Sequence, residues 1–198
     1  MKKFLLVVVV AFLAAVPVAG QGVQVSFMAG YSIFGSSNGW NIKDSFSGSA
    51  VIGKPIGAGR VVELSYHRQD TYLEDLVGAK PTRLFDMTTE YFQIGVAQEV
   101  APGEATTPYG LFSLGAVRYN PDNSFSDEWR FAINFGGGVK HFINDTVGLR
   151  LSALLMMPLT WGGGGLFCGT GGCSVGAGAY SVFLQAELQA GLVFKLGS

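Results

Sequence analysis

A carboxylate, a hydroxyl and an imidazole stand at alternate positions of one short segment, as Glu63, Ser65 and His67. These are the groups of a nucleophilic hydrolase site, in which a base activates the hydroxyl and a third group orients the base. In an extended strand, however, residues two apart are only neighbours on the same face. The sequence indicates neither a base held within hydrogen-bond reach of Ser65 nor an oxyanion site. We therefore predict no catalytic residues.

Two cysteines, Cys168 and Cys173, lie in the glycine-rich run Cys-Gly-Thr-Gly-Gly-Cys. A metal site would need further thiolate or imidazole ligands, and the two histidines, His67 and His141, belong to other predicted strands. In an exported chain such a pair is expected to form a disulfide bond. The loop it closes is short, so the bond would restrict the loop tip more than it stabilises the fold. We predict this disulfide, no metal site and no cofactor.

The final segment, Val182–Leu196, has an apolar residue at every second position. Gln185, Glu187 and Gln189 alternate with these residues, and successive side chains of a strand point to opposite faces. At about 3.3 Å per residue the segment is too long for an ordinary globular strand, but tilted by about 45° it crosses a bilayer. Polar groups are costly in lipid, so they must line a closed interior. This alternation predicts a transmembrane β-barrel.

Seven earlier segments also have strand character, although the facing of the second and the fifth is ambiguous. Their bounds are Val23–Phe34, Phe46–Gly53, Arg60–Arg68, Met87–Gln98, Pro108–Tyr119, Trp129–Phe142 and Val147–Leu159. The odd-numbered connections are longer than the even-numbered ones nearly throughout, which is typical of short periplasmic turns and longer outer loops. An even number of strands also places both termini on the periplasmic side. We predict an all-β fold, a transmembrane, antiparallel, up-and-down β-barrel of eight strands.

The first twenty residues have the parts of a secretory signal peptide. Lys2 and Lys3 form a basic start, residues 4–15 an apolar core, and Val18-Ala19-Gly20 a small-residue cleavage site. We predict a cleaved signal over residues 1–20 and one barrel domain over residues 21–198. Removal of the two lysines leaves 11 of the 13 basic residues against 14 acidic ones, a net charge of −3. That balance disfavours a nucleic-acid-binding protein.

Four stretches of the mature chain resemble a known family. Pro108–Ala116 is similar to the Pro-Tyr strand opening of small outer-membrane barrels, and Phe135–Lys140 with Val147–Leu151 resembles their sixth and seventh strands. Gly191–Leu196 resembles the C-terminal signal that the barrel-assembly machinery reads. The chain thus resembles the outer-membrane β-barrel domain family that includes opacity-like and OmpX-like proteins, which implies an outer-membrane location. It departs from the family pattern by ending shortly after Phe194, and we expect no periplasmic peptidoglycan-binding domain of the kind that OmpA-type proteins carry.

Polar side chains of the predicted strands are candidates for a network in the barrel interior. They are Glu63, His67, Gln93, Arg118, Arg130, Asn134, Lys140, Arg150, Gln185 and Glu187. An eight-stranded barrel is just wide enough for side chains to fill, and buried charges need partners. We expect the two glutamates to be paired by arginine or lysine. The alternative is a narrow path for ions or solutes.

The function expected from the sequence is structural or one of surface interaction, performed by a monomer in contact with outer-membrane lipid and lipopolysaccharide. Apolar loop residues would contact an extracellular partner, and the candidates are Trp40, Tyr72, Phe125 and Phe167. Two alternatives remain open, a narrow passive channel and a lipid-modifying barrel enzyme. The known barrel deacylases resemble this chain in architecture, but their His-x-Ser motif is absent here.

Overall fold

The computed structural model of the chain describes residues 22–35, 40–76, 80–122, 126–169, 172–181 and 184–197, without the side chains of residue 40 and residues 160–181. The predicted signal peptide lies outside these ranges. The described residues form strands β1 (Val23–Phe34), β2 (Trp40–Ile42), β3 (Ser45–Gly57), β4 (Arg60–Asp75), β5 (Thr82–Glu99), β6 (Thr106–Pro121), β7 (Glu128–Phe142), β8 (Val147–Gly169), β9 (Gly172–Ser181) and β10 (Gln185–Leu196). They contain no helix long and apolar enough to cross a bilayer.

Eight of these strands close into an antiparallel barrel. The order around the wall is β1, β3, β4, β5, β6, β7, β8 and β10, and β10 pairs with β1 along the whole of β1. The short strands β2 and β9 pair with the far ends of β4 and β8. A closed sheet leaves no unpaired edge for lipid to meet, which is what a bilayer requires of strands. The predicted fold class is confirmed.

The strand register fixes how far the strands tilt. Paired positions can be followed around the wall from Gln24 through Gly53, Glu63, Gly95, Ser113, Asn134, Met156 and Gln185 back to β1 at Phe34. One circuit therefore advances ten positions along β1, from 24 to 34. Strands staggered in this way are tilted by about 35–45° from the barrel axis. The side chains present on this path point inward, so polar groups such as Glu63 and Gln185 follow it around the interior.

The outer wall is apolar where it is exposed. Large side chains that face outward without protein cover include Phe27, Ile33, Ile94, Phe112, Phe135, Leu151, Leu188 and Leu192. Leu188, for example, is 64% exposed. Soluble proteins rarely expose so many large apolar side chains next to one another. Such a wall is stable against lipid, and with the closed strand pairing it places the barrel in a membrane.

The two ends of the barrel differ. At one end the turns are short, and in Gly57-Ala58-Gly59 all three residues have positive φ, the backbone that tight hairpins need. At the other end the strands continue past the wall, with β4 and β5 paired as far as Asp75 and Thr82. We call these the short-turn end and the long-loop end. In single-chain barrels the short turns face the periplasm.

Each of the eight predicted strands is present. β1 has the predicted bounds, whereas β4, β5 and β8 extend well beyond them at the long-loop end. The extra residues are polar or glycine-rich and lie outside the predicted strands. Strands that pair in water do not need the alternation that lipid imposes, so the sequence pattern does not reveal these strand ends. The ambiguous second strand is β3, with Ser47 and Ser49 buried inside and Phe46 outside.

Candidate functional site

The interior near the short-turn end is organised around one ion pair, formed by Glu63 of β4 and Arg150 of β8. Arg150 donates to both carboxylate oxygens, from Nη1 to Oε1 at 3.0 Å and from Nη2 to Oε2 at 2.9 Å. Both residues are almost fully buried. The planar fork of a guanidinium matches a carboxylate in this two-bond geometry, which compensates a buried charge better than a single contact does.

Lys140 of β7 joins a second carboxylate to this pair. Its Nζ lies 2.7 Å from Glu99 Oε1 and 3.6 Å from Glu63 Oε1, and it donates to Gln24 Oε1 at 2.7 Å. Two cations thus face two carboxylates, and the side chain of Lys140 is fully buried. We call Gln24, Glu63, Glu99, Lys140 and Arg150 the lower network. Its charges balance, which a buried group of ions requires.

Tyr109 packs between the two cations of the lower network. Arg150 Nε donates to the Tyr109 hydroxyl at 2.9 Å, and that hydroxyl shares a 2.7 Å hydrogen bond with Ser152. Lys140 and Arg150 lie 5.2 and 4.8 Å from the ring centroid, within the range of cation–π attraction. Gly138 makes room, because a Cβ there would approach the Tyr109 hydroxyl to 2.9 Å.

A second cluster, the upper network, lies farther along the interior and centres on Glu187 of β10. Gln189 Nε2 donates to Glu187 Oε1 at 2.6 Å, and Ser47 donates to the same oxygen. His67 Nδ1 lies 3.6 Å from Glu187 Oε2 and 3.0 Å from Gln189 Nε2. Ser49 completes the cluster by donating to Gln189 at 3.1 Å. In contrast to Glu63, Glu187 has no lysine or arginine within ion-pair distance among the described residues.

Amides extend the polar filling across the rest of the lumen. Gln185 donates to Ser32 at 2.9 Å and accepts from the Tyr91 hydroxyl at 2.8 Å. On the opposite wall Gln93 accepts from Asn134 at 3.1 Å and from Ser113 at 3.3 Å. These bonds join strands far apart in the chain, so side chains cross-link the wall from the inside.

The hydrolase interpretation of Glu63, Ser65 and His67 finds no geometric support. Glu63 is engaged by Arg150 and Lys140, whereas His67 belongs to the upper network with Gln189 and Glu187. In the upper network the hydroxyl that meets a carboxylate is that of Ser47, not Ser65, and it donates directly to Glu187. A serine nucleophile needs a general base that accepts the proton of its hydroxyl. The hydrogen bonds described here instead join buried polar side chains to one another. The described residues also contain no group of three or more acidic, histidine or cysteine side chains that would hold a metal.

The prediction that Arg118 belongs to the interior network is wrong, because its side chain does not face the interior. It shares the outward face of β6 with Phe112 and Leu114, and its guanidinium contacts Glu90 at 3.0 Å and Asp127 at 2.5 Å. It also lies 5.9 Å from the ring centroid of Trp129. β6 is apolar on both faces over most of its length, so its alternation did not reveal which way Arg118 points.

Arg130 faces inward, but it lies at the long-loop end, apart from both networks. Its Nη2 contacts Glu128 at 2.7 Å, and its guanidinium lies 5.6 Å from the ring centroid of Tyr119. The remaining predicted members of the network, Gln93, Asn134 and Gln185, are buried in the interior as described above.

Sequence reasoning missed three members of the interior. Glu99 lies one residue beyond the predicted strand Met87–Gln98, although it shares the inward face of β5 with Gln93, three two-residue repeats earlier. Gln24 is absent from the predicted candidates, although it is buried inside the barrel. Tyr109 belongs to the fifth segment, whose facing is ambiguous in the sequence, and it is 4% exposed inside the barrel. Extending the alternation of β5 by one residue would have indicated Glu99, whereas the apolar faces of β6 give no such signal for Tyr109.

Apolar side chains predominate in the interior at the long-loop end, beside the inward-facing Arg130. A cluster of buried side chains fills it, formed by Phe34, Ile42, Met87, Tyr91, Val117, Tyr119, Ala132, Leu154 and Met156. Ile42 comes from β2 in the first long loop and is 1% exposed, so this loop folds back over the barrel opening. Beside this cluster lies a cavity of about 250 Å³, which Ser126, Glu128 and Arg130 also line.

The predicted loop contacts and the disulfide fall mostly outside the described side chains. Phe125 lies outside the described residues, and the side chains of Trp40 and Phe167 are not described. Tyr72 is half-buried, with the guanidinium of Arg83 4.3 Å from its ring centroid. The backbone pairs Cys168 of β8 directly with Cys173 of β9, a register in which opposing Cα atoms are close enough for a disulfide. The disulfide itself stays a prediction.

Comparison with known proteins gives matches in structure only. No protein-family model and no curated protein matches the sequence. Neisserial surface protein A superposes with a TM-score of 0.63 at 17% identity, over 88% of this chain and 97% of that one. OprG from Pseudomonas aeruginosa gives 0.56 at 13% identity, over 90% and 94%. Ail of Yersinia pestis, in complex with the heparin analogue sucrose octasulfate, gives 0.50 at 11%, over 88% and 99%. With its apolar outer wall and closed strand order, the chain has the fold of the small outer-membrane β-barrels.

Proposed function

We propose that the protein is a closed, monomeric barrel of the outer membrane with a structural or surface-interaction role, exported through a signal over residues 1–20. The observation that carries this proposal is the filled interior. Arg150, Glu63 and Lys140 link β8, β4 and β7 directly across the lumen, and Glu187 with Gln189 links β10 to β3. A lumen cross-linked in this way supports a scaffold that holds loops at the cell surface rather than a pore.

The long-loop end supplies the surface on which a partner would bind. There β4 and β5 continue as a paired hairpin, with Thr88 of β5 donating to Asp70 of β4 at 3.0 Å and the guanidinium of Arg83 lying 4.3 Å from the ring centroid of Tyr72. These contacts hold the hairpin in one shape, and a preorganised surface loses less entropy on binding.

The charge of the mature chain is concentrated at this end. It carries six cationic side chains, Lys43, Arg68, Lys80, Arg83, Arg118 and Arg130, and nine carboxylates, Asp44, Asp70, Glu74, Asp75, Asp86, Glu90, Asp122, Asp127 and Glu128. The short-turn end and the interior balance, so the whole net charge of −3 faces outward. The structure of Ail contains a polyanionic ligand, but an acidic face favours neutral or cationic partners instead.

Removal of the last loop tests the surface-interaction role. Replacing residues 160–181 by a short turn is expected to leave the heat-dependent gel mobility of a folded barrel unchanged and to abolish the adhesion of cells that display the protein. A variant with the β7–β8 turn at residues 143–146 replaced, at the opposite end, is the matched control and should adhere normally. Unchanged adhesion after loss of residues 160–181 would contradict the proposal.

The passive channel is tested by conductance in planar bilayers. The closed interior predicts no openings from the wild-type protein and none from Glu187→Gln, which keeps the volume and most hydrogen bonds of the upper network. Reproducible openings that change with Glu187→Gln would favour the channel. For the lipid-modifying enzyme, Ser65→Ala and His67→Ala are expected to leave the lipid composition of the outer membrane unchanged.

Mass spectrometry of the purified mature protein tests the two processing predictions. We expect the chain to begin at Gln21, and we expect Cys168 and Cys173 to react with an alkylating reagent only after reduction. A chain that retains residues 1–20, or cysteines that alkylate without reduction, would contradict the corresponding prediction.

A further inference from the structure

His67 of β4 has one ring nitrogen between two groups of opposite hydrogen-bonding type. Its Nδ1 lies 3.0 Å from Gln189 Nε2 and 3.6 Å from Glu187 Oε2. A side-chain amide nitrogen only donates hydrogen bonds, whereas the oxygens of an ionised carboxylate only accept them. One ring nitrogen can therefore serve only one of these neighbours at a time. Without a proton Nδ1 accepts a hydrogen bond from Gln189, and with a proton it forms an ion pair with Glu187.

The orientation of the Gln189 amide is set by its other contacts. Gln189 Nε2 donates to Glu187 Oε1 at 2.6 Å, a distance at which the carboxylate would repel an amide oxygen. The amide oxygen accepts from Ser49 instead, at 3.1 Å. A donor thus faces His67 in either case, and the proton on Nδ1 decides which of the two arrangements is present.

Within the described part of the chain, His67 is the one group placed to neutralise Glu187. Both side chains are almost fully buried, and Tyr91, whose hydroxyl donates to Gln185, is the only other titratable group that faces them. The side chains around the pair are Ser32 of β1, Ser47 and Ser49 of β3, Tyr91 of β5, Leu154 of β8, and Gln185 and Gln189 of β10. An ionised Glu187 beside a neutral imidazole would be a buried charge without a counter-ion. The arrangement with a proton on Nδ1 is therefore favoured at neutral pH.

The pair lies on the strand that closes the barrel, because β10 pairs with β1 on one side and with β8 on the other. Inside the lumen, Glu187 and Gln189 of β10 reach across β1 to two serines of β3 and to His67 of β4. We infer that His67 and Glu187 form a proton-dependent latch on this closing strand, in which one proton lies between His67 Nδ1 and Glu187 Oε2. At high pH the proton passes to water and Nδ1 accepts from Gln189. Glu187 is then a buried anion without a counter-ion, which weakens the closure of the barrel.

The position of the proton can be observed by NMR of the full mature protein in lipid nanodiscs with isotope-labelled histidine. The sequence has two histidines, so the variant His141→Gln assigns the signals of His67. At about pH 8, above the pKa of about 6.5 of a free histidine, we expect His67 to carry protons on both ring nitrogens. In Glu187→Gln the charge is gone, and His67 should carry one. A single ring proton in the wild type, or two in Glu187→Gln, would overturn the inference.

The pH dependence of unfolding tests the effect on closure. Above about pH 6.5 the unfolded chain loses a proton that the folded barrel retains, so raising the pH favours unfolding. The equilibrium constant for unfolding, from urea titration in lipid vesicles, should rise about tenfold more per pH unit for the wild type than for Glu187→Gln, until the folded pair releases its proton. Glu104→Gln removes an exposed carboxylate outside the lumen and should keep the wild-type pH dependence.

Heat-dependent gel mobility shows whether each of these variants is folded. Equal pH dependence of unfolding in the wild type and in Glu187→Gln would overturn the inference. Failure of the adhesion experiment would not affect it, because that experiment concerns residues 160–181 and not the lumen.

Discussion

The barrel interior has two regions whose chemistry is the reverse of what surrounds them. The region enclosed by the apolar outer wall is filled with charged and amide side chains, among them Glu63, Lys140, Arg150 and Glu187. The region nearest to water, at the long-loop end, is lined by Ile42 and other apolar residues. Only the first arrangement follows from the architecture. A strand that faces lipid on one side and a narrow lumen on the other needs two different faces to fix its register.

The apolar mouth lies where the outer wall no longer imposes that rule. Strands with polar residues on both faces are also stable in that position, as the outer ends of β4 and β5 show. The difference therefore indicates that the polar region exists because of the membrane and the apolar mouth for another reason. Mutations that remove the same chemical group from each region test this division directly.

The largest effect is expected from Arg150→Ala. It leaves Glu63 buried without its two-bond partner, and breaking a buried ion pair from one side costs about 3–5 kcal/mol. The free energy of unfolding, measured by urea titration in lipid vesicles, should fall by that amount. The double variant Glu63→Leu with Arg150→Met removes both charges and should recover most of the loss. A double variant as unstable as Arg150→Ala would mean that the pair is not what stabilises this region.

A smaller, paired effect is expected from replacing one tyrosine in each region by phenylalanine. In Tyr109→Phe, Arg150 and Ser152 lose their common partner, so the free energy of unfolding should fall by about 2 kcal/mol. In Tyr119→Phe the hydroxyl that is lost makes no well-formed hydrogen bond among the described residues and interacts only weakly with Tyr91, so the change should stay within about 0.5 kcal/mol. Equal losses from the two variants would remove the distinction between the regions.

The sequence predicted the polar region better than the mouth, for a physical reason. The inward direction of Glu63 and Arg150 follows from local alternation, since the lipid-facing residues on either side leave one choice of face. The mouth depends on Ile42, which reaches the opening through pairing of β2 with β4, some thirty residues away. Nothing in the local pattern of the first loop indicates that contact. The sequence also could not predict which cation pairs with Glu63, because alternation shows only which face of the strand a side chain occupies.

The smallest effect is expected from Arg118→Ala, which tests whether the outward face differs from the interior at a single arginine. Arg118 pairs with Glu90 and Asp127 on the outer surface, where side chains are partly accessible and an ion pair contributes at most about 1 kcal/mol. The free energy of unfolding in vesicles should therefore change by no more than that, several-fold less than for Arg150→Ala. Arg118→Lys, which keeps the charge, is the matched control and should resemble wild type. A loss as large as that of Arg150→Ala would instead place Arg118 among the buried charges, where its sequence alone had suggested it belongs.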